Sequence, residues 1–189
     1  MYFYVFFISA LNGKESHILL DVLKEDIHYK TLVKTPVGSS FLKETGTPVM
    51  VTTPDFNNIL GDKLTAFAPT TTGIPYIKKD KEMGMEIIKQ MYDVGCLFDE
   101  IDDISMVKDV FKAFAAIELE YRGNTHTISD VLDDTFYTAL AVCFRKNIQN
   151  TNFTVLNNGL FQSSLIYSLI PFTWIKLLHT PLKLLIWLY

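Results

Sequence analysis

Apolar side chains crowd the first eight positions, Met1-Tyr-Phe-Tyr-Val-Phe-Phe-Ile8, with no polar alternation. Aromatic and β-branched residues packed so densely into a short run predict a buried strand. Asn12-Gly13 is a strong turn signal, and His17-Ile-Leu-Leu-Asp-Val-Leu23 predicts a second strand, paired with the first across a connection from Ala10 to Ser16. Lys24 to Asn58 is rich in Thr, Pro, Gly and Ser and reads as a connecting region with one short strand, Val49-Met-Val-Thr-Thr53. Gly38-Ser39 inside it has no Asp-x-Asp at a useful distance and reads as a plain turn.

The period then changes. Thr53-Pro54-Asp55 signals a helix start, Phe56 to Ala68 supplies the apolar spacing, and Pro69 closes it. Thr70 to Pro75 and the charged run Lys78 to Glu82 predict an exposed loop. Three further helices follow, marked by Ile87, Ile88, Met91, Tyr92, Cys96 and Leu97, then by Val107, Val110, Phe111, Phe114 and Ile117. Ile128, Val131, Leu132, Phe136, Ala139, Leu140 and Cys143 mark the last, with Thr127 or Ser129 as its cap. These stripes read as core. Strands first and helices after predict an α+β fold, a small sheet of two or three strands joined to a helical bundle.

Composition adds limits. A length of 189 residues with 49% apolar and 20% charged side chains suits one domain and excludes a disordered chain. A net charge of −4 gives no global field of the kind a nucleic-acid binder advertises. Cys96 and Cys143 show no zinc or redox spacing and read as buried thiols of a cytoplasmic protein. The N-terminal run has no basic flank or cleavage site and is far too short to span a membrane. Every acidic residue lies between Glu15 and Asp134; residues 150–189 carry only Lys176 and Lys183, so this segment is +2 and the body −6. Asp21 stands out chemically, because a carboxylate in an apolar strand must face solvent, meet a cation or bind a metal. Strand alternation alone favours the solvent-facing reading.

Five blocks in sequence order carry a resemblance. His17-Ile-Leu-Leu-Asp-Val-Leu23, Thr53-Pro-Asp-Phe-Asn-Asn-Ile-Leu-Gly-Asp-Lys-Leu-Thr-Ala-Phe-Ala-Pro69 and Glu86-Ile-Ile-Lys-Gln-Met-Tyr-Asp-Val-Gly-Cys-Leu-Phe-Asp99 are similar to successive blocks of the AbiEii/AbiGii nucleotidyltransferase toxin family. Thr72-Gly-Ile-Pro-Tyr76 and Glu118-Leu-Glu-Tyr-Arg122 fit a bacterial subgroup of it, and the resemblance spans residues 10 to 157. It implies a DNA polymerase β-type nucleotidyltransferase of toxin–antitoxin and abortive-infection systems. Such enzymes carry Gly-Ser followed by Asp-x-Asp and a third acid on a later strand; the carboxylates hold Mg²⁺, which bridges the triphosphate and aligns the attacking hydroxyl.

By the resemblance, Asp21 occupies the third-acid position as a catalytic metal ligand, which reverses its solvent-facing reading. Lys63 occupies the position of a lysine suited to the β- and γ-phosphates. Asp93 completes the pocket or orients the acceptor. Lys89, one turn before Asp93, either touches phosphate or forms an i,i+4 ion pair with Asp93, and the ion pair is the favoured reading. The implied cofactors are Mg²⁺ and a nucleoside triphosphate. The implied partners are a cognate antitoxin and tRNA or another acceptor.

The departure from the family pattern is as informative. The Gly-Ser/Asp-x-Asp block belongs upstream of residue 1, and Asp80-Lys-Glu82 and Asp102-Asp103 fall in loop or helix-start contexts. The chain therefore reads as the C-terminal portion of a nucleotidyltransferase, catalytically dead alone, whose upstream half is encoded elsewhere. The expected divisions are a partial sheet over 1–53, a helical domain over 54–157 and an atypical hydrophobic tail over 158–189. The family ending is an Ala-rich amphipathic helix, whereas this chain reads Leu160-Phe-Gln-Ser-Ser-Leu-Ile-Tyr-Ser-Leu-Ile-Pro171. A frameshift near residues 158–164 accounts for that; packing on the bundle, or an interfacial helix anchored by Trp174 and Trp187, are the rival readings. Gln162, Pro171 and Lys176 break the apolar run below the roughly 18–20 residues of a membrane span. A non-catalytic helical module that binds a protein or nucleic acid is the alternative for the whole chain.

Overall fold

The Asn12-Gly13 turn sets the first element pair. In a computed structural model, which describes residues 1–24, 26–38, 45–144 and 151–166, β1 (Tyr2–Ile8) and β2 (Glu15–Asp21) pair antiparallel, from Tyr2 opposite Asp21 to Ile8 opposite Glu15. Gly13 adopts φ +66°, its N–H donates to the Ser9 carbonyl at 2.8 Å, and the Lys14 N–H donates to Asn12 Oδ1 at 3.0 Å. Only a residue without Cβ enters that left-handed region cheaply. This closure starts β2 two residues before the expected His17 and ends it at Asp21 rather than Leu23.

β3 (Leu32–Pro36) pairs with β4 (Met50–Pro54), and β5 (Ile77–Lys78) with β6 (Lys81–Glu82). Among the described residues the strands thus form three antiparallel pairs, which with the helices that follow make the expected α+β fold. β3 falls in the stretch read as a connection, because Thr and Pro conceal its alternation; Thr35 and Thr53 meet across the pair at 2.6 Å. The expected loop at Lys78–Glu82 is a hairpin whose two central residues, Lys79 and Asp80, are left-handed at φ 50° and 59°. Ser39 of the Gly38-Ser39 pair and the tail from residue 167, including Trp174 and Trp187, lie outside the described residues.

The helical part follows the sequence more closely. α1 (Phe56–Ala66) starts where Asp55 accepts the Asn58 N–H at 2.9 Å. α2 (Gly84–Leu97) and α3 (Ile104–Tyr121) follow, the latter capped by Asp103, which accepts from the N–H groups of Ser105 and Met106 at 2.9 and 3.0 Å. At α4 (Ile128–Phe144) Thr127 is the cap: its Oγ1 accepts the Asp130 N–H, while Asp130 accepts from the Thr127 N–H. This is a reciprocal capping arrangement. Leu60, Leu64 and Phe67 bury completely with Ile88, Met91, Val94 and Val107, joined by Phe111, Ala115 and Val131. The two cysteines are free thiols and only partly buried; burial raises the Cys143 thiol above its usual range.

α5 (Thr151–Ile166) runs through position 158 and was not foreseen as a helix, because Asn157, Asn158 and Gly159 interrupt its apolar stripe. Those small and polar residues let it approach α2 closely. A Cβ on Gly159 would lie 2.2 Å from the Gly84 carbonyl carbon, and one on Gly84 would lie 2.0 Å from the Val155 carbonyl oxygen. The two backbones cross at glycine against glycine. Among the described residues, no helix is long and apolar enough to cross a membrane.

The connector between β2 and β3 is tied to the bundle. Tyr29 donates to Asp62 Oδ2 at 2.8 Å and its ring lies 4.9 Å from that of Phe114. The Lys30 N–H donates to Asn58 Oδ1 at 2.7 Å, and its Nζ pairs with Asp109 at 2.7 Å. Burial raises the Asp62 carboxyl, with Tyr29 and Lys63 pulling it back down. Burial and the neighbouring Asp62 push the Tyr29 phenol far above its usual range.

Gly159→Ala forces a methyl into backbone and is expected to destabilise the chain by about 1–3 kcal/mol. Thermal unfolding measures it, and an unchanged midpoint would show that the α2–α5 crossing is looser than described. Tyr29→Phe removes the donor to Asp62 and is expected to cost about 1 kcal/mol. The folded chain holds the Asp62 proton more tightly than the unfolded chain does. That contribution is therefore complete below the ordinary carboxylate value and is lost as pH rises through the raised folded one. The Tyr29 hydrogen bond favours the ionised carboxylate and so opposes that loss, which makes the Tyr29→Phe penalty larger at pH 7 than at pH 4; equal penalties at the two values would refute the latch.

Candidate functional site

Lys63 and Asp93 meet across α1 and α2. Leu60 and Leu64 turn into the core, which leaves Lys63 on the flank of α1 that faces α2. Its Nζ lies 3.3 Å from Asp93 Oδ2 and 3.1 Å from Gln90 Oε1. Both partners come from one face of α2, since residues three apart are neighbours on a helix. The lysine side chain is 35% exposed and the aspartate 46%, so the pair stands at the protein surface. An ammonium carries three donors, and two are engaged here; the third is available to an anionic guest.

Two further blocks of the resemblance, 72–76 and 118–122, are tied to the end of α1. Loop 67–76 folds back on the end of α1: the Gly73 N–H donates to the Ala68 carbonyl at 2.7 Å and Thr72 Oγ1 to the Thr65 carbonyl at 2.7 Å. A Cβ on Gly73 would sit 2.4 Å from the Ala66 carbonyl oxygen, so glycine is required there. Arg122, ion-paired with Glu118 on the last turn of α3, reaches the Gly73 carbonyl at 3.5 Å. Asp62, next to Lys63, adds a half-buried carboxyl whose proton affinity is raised by burial and by the charge of Glu118.

Two expectations about the site turn out differently. Lys89 makes no ion pair with Asp93, whose carboxylate engages Lys63 of α1 instead. A lysine N-terminal to its acid is also the weaker of the two i,i+4 orientations. Gln90 is the second partner of Lys63 that the sequence reading missed; its position three residues before Asp93 on the same face of α2 was the signal that could have found it.

Asp21 is not brought into contact with Lys63 or Asp93. It ends β2, its side chain is 52% exposed, and it pairs with the N-terminal amine at 3.8 Å. On the hairpin it shares a face with His17, Leu19, Tyr2, Tyr4 and Phe6, while Phe3, Val5, Phe7, Ile18 and Leu20 form the opposite, wholly apolar face apart from Ser16. Tyr2, Val5, Phe6 and Ile8 are all more than half exposed, and among the described residues no other strand pairs with either edge of the hairpin. One carboxylate beside an amine does not fit a magnesium ion, which needs several oxygen ligands at octahedral geometry. Among the described residues, no group of three His, Cys, Asp or Glu could hold a metal. No two aspartates stand two positions apart anywhere in the chain. Asp80 lies in the β5–β6 turn, and Asp102 and Asp103 serve the start of α3, with Asn57 accepting from their N–H groups at 3.2 and 3.1 Å.

The chain was compared with known proteins on this basis. No curated protein and no solved structure matches it. The family described as nucleotidyl transferase AbiEii toxin, of type IV toxin–antitoxin systems, matches residues 2–154. That match takes in the hairpin, the Lys63–Asp93 pair and four of the five helices whole, and on it the chain belongs to the AbiEii nucleotidyl transferase toxin family.

Proposed function

We propose that this chain is the phosphate-gripping and acceptor-side portion of a nucleotidyltransferase toxin, which transfers a nucleotide from a nucleoside triphosphate to an acceptor such as tRNA. The observation that carries the reading is the Lys63–Asp93–Gln90 contact, set between two family-matched helices with one ammonium donor still free. In it Lys63 neutralises charge on the triphosphate, as a compact cation does. Asp93 and Gln90 hold the lysine head in place, and Asp93, half exposed, is also available to orient an acceptor hydroxyl. Magnesium, when bound in the complete enzyme, supplies charge neutralisation at the phosphoryl group. Lys89, unpaired with Asp93, is a second cation for phosphate.

The reading assigns inactivity to the chain alone. Asp21 stands, among the described residues, without the further carboxylates its proposed role needs, on a hairpin whose Phe3, Val5, Phe7, Ile18 and Leu20 face is apolar and whose edges no described strand pairs. A strand pair with an exposed apolar face belongs in a sheet that is covered on that face. A complementing polypeptide bearing the Gly-Ser and Asp-x-Asp strands is what that hairpin accommodates, with residues 1–53 as partial sheet and 54–157 as helical domain. The proposed cellular setting is the bacterial cytoplasm beside a cognate antitoxin. The same open hairpin favours the second reading, a non-catalytic module that binds a protein partner.

Labelled-nucleotide transfer separates these. The chain alone is expected to transfer nothing, and the chain mixed with such a complementing half to transfer label to an acceptor. Lys63→Ala in the mixture should then lower the rate roughly a hundredfold, the usual loss when a preorganised electrostatic contact is removed. Transfer by residues 1–189 alone would contradict the incomplete-site reading; binding without transfer would favour the interaction module.

A further inference from the structure

The short β5–β6 hairpin that leads into α2 departs from two local preferences. Its turn residues, Lys79 and Asp80, are both left-handed, at φ 50° and 59°. Turns of this kind ordinarily take Asn-Gly, because side chains with a Cβ enter that region at a cost. Lys78 and Lys81 then stand directly opposite each other across the strand pair. Like charges so placed on one face repel. Residues 78–81 hold three lysines and one aspartate, a local +2 in a chain of net −4, and all four are exposed.

The base of the hairpin is firmly mounted. The Met83 N–H donates to the Tyr76 carbonyl at 2.9 Å. The Tyr76 hydroxyl meets Thr138 Oγ1 of α4 at 3.3 Å, and Asn158 Nδ2 of α5 donates to Glu82 Oε2 at 3.1 Å. Two helices thus fix the base while the lysines stay in water.

Its place along the chain ties it to the site. β6 passes through Met83 into α2 at Gly84. Gln90 and Asp93, which hold Lys63, lie about 9–14 Å further along that helix axis. Lys89 stands between, one turn before Asp93 on the same face, with Glu86 as the acid in the first turn. Lys78 and Lys81, then Lys89, then Lys63 make a row of cations from the hairpin to the Lys63–Asp93 pair. A row of this length matches a polymer charged at every nucleotide better than it matches a single phosphate.

We propose that Lys78 and Lys81 grip the phosphate backbone of a single-stranded stretch of the acceptor RNA and lead it towards Lys63. This rests on the nucleotide-transfer reading above and adds to it the surface that selects a polynucleotide acceptor over a small one. A phosphate between the two ammonium groups also relieves their mutual repulsion.

Fluorescence anisotropy of the full chain with a labelled oligouridylate of about twelve nucleotides, between about 50 and 200 mM salt, tests this. Saturable binding that weakens with salt is expected. Lys78→Gln combined with Lys81→Gln should weaken it about twentyfold at about 0.1 M salt and flatten the slope of log affinity against log salt by about 1.4, the loss of two phosphate contacts on a single strand. Lys78→Arg combined with Lys81→Arg should keep both affinity and slope. Because the Gln pair removes a repulsion, its thermal midpoint should hold or rise, which separates lost grip from lost fold. Absence of RNA binding, an unchanged slope in the Gln pair, or tighter binding to phosphatidylserine vesicles than to RNA at equal phosphate would overturn the proposal. The transfer reading fails separately. It falls if the complemented mixture with all lysines intact labels neither RNA nor a mononucleotide acceptor, whereas labelling of RNA undiminished by the Gln pair sinks the grip alone.

Discussion

The helical part depends on the burial of one side of α1. Leu60, Leu64 and Phe67 are wholly enclosed, and a Cβ on Gly61 would lie 2.8 Å from Val110, so α1 lies against α3 with almost no space between them. Close packing of this kind fixes not only the helix position but its rotation about its own axis. With the apolar side committed, Lys63 has one place to go, the seam with α2, where Asp93 and Gln90 meet it. The chemistry of the pair is thus a by-product of core packing, held by residues that touch no substrate.

The strands are organised by a different balance. An isolated two-stranded hairpin is marginal in water, and β1–β2 exposes large side chains on both faces. Its pairing is regular over seven residues and closed by a well-formed turn, so local interactions specify the shape while nothing described here covers it. The connector after it is anchored through Tyr29, Lys30 and Asn58, which gives the chain a firm boundary where the buried helical part begins. Apolar strands of this composition are also a route to aggregation when left open.

Helices α1 to α4 were legible because each announces itself with a stripe at helical spacing, and three of them with a polar cap, Asp55, Asp103 and Thr127; α2 starts after Met83 without one. α5 was not, since Asn158 and Gly159 look like a turn in sequence; their value is the close approach to Gly84, a property of two distant segments. β3 and the β5–β6 hairpin escaped for a related reason. Their pairing partners, not their own composition, make them strands. At the site, the five family-like blocks pointed to Lys63 and Asp93, which the fold brings together. Spacing on α2 alone suggested Lys89 as the partner of Asp93, because a tertiary competitor from α1 is invisible along one helix. Asp21 was conspicuous in sequence as an acid among apolar residues, yet its neighbours in space are the N-terminus and open surface.

Amide hydrogen exchange tests directly whether a closed helical body carries an open, partner-seeking hairpin. The account predicts slow exchange at Leu64, Met91 and Phe111 in α1, α2 and α3, and rapid exchange across Tyr2–Ile8 and Glu15–Asp21. Hairpin amides as strongly protected as those of α1 would contradict it, because the strands would then already be covered by this chain alone.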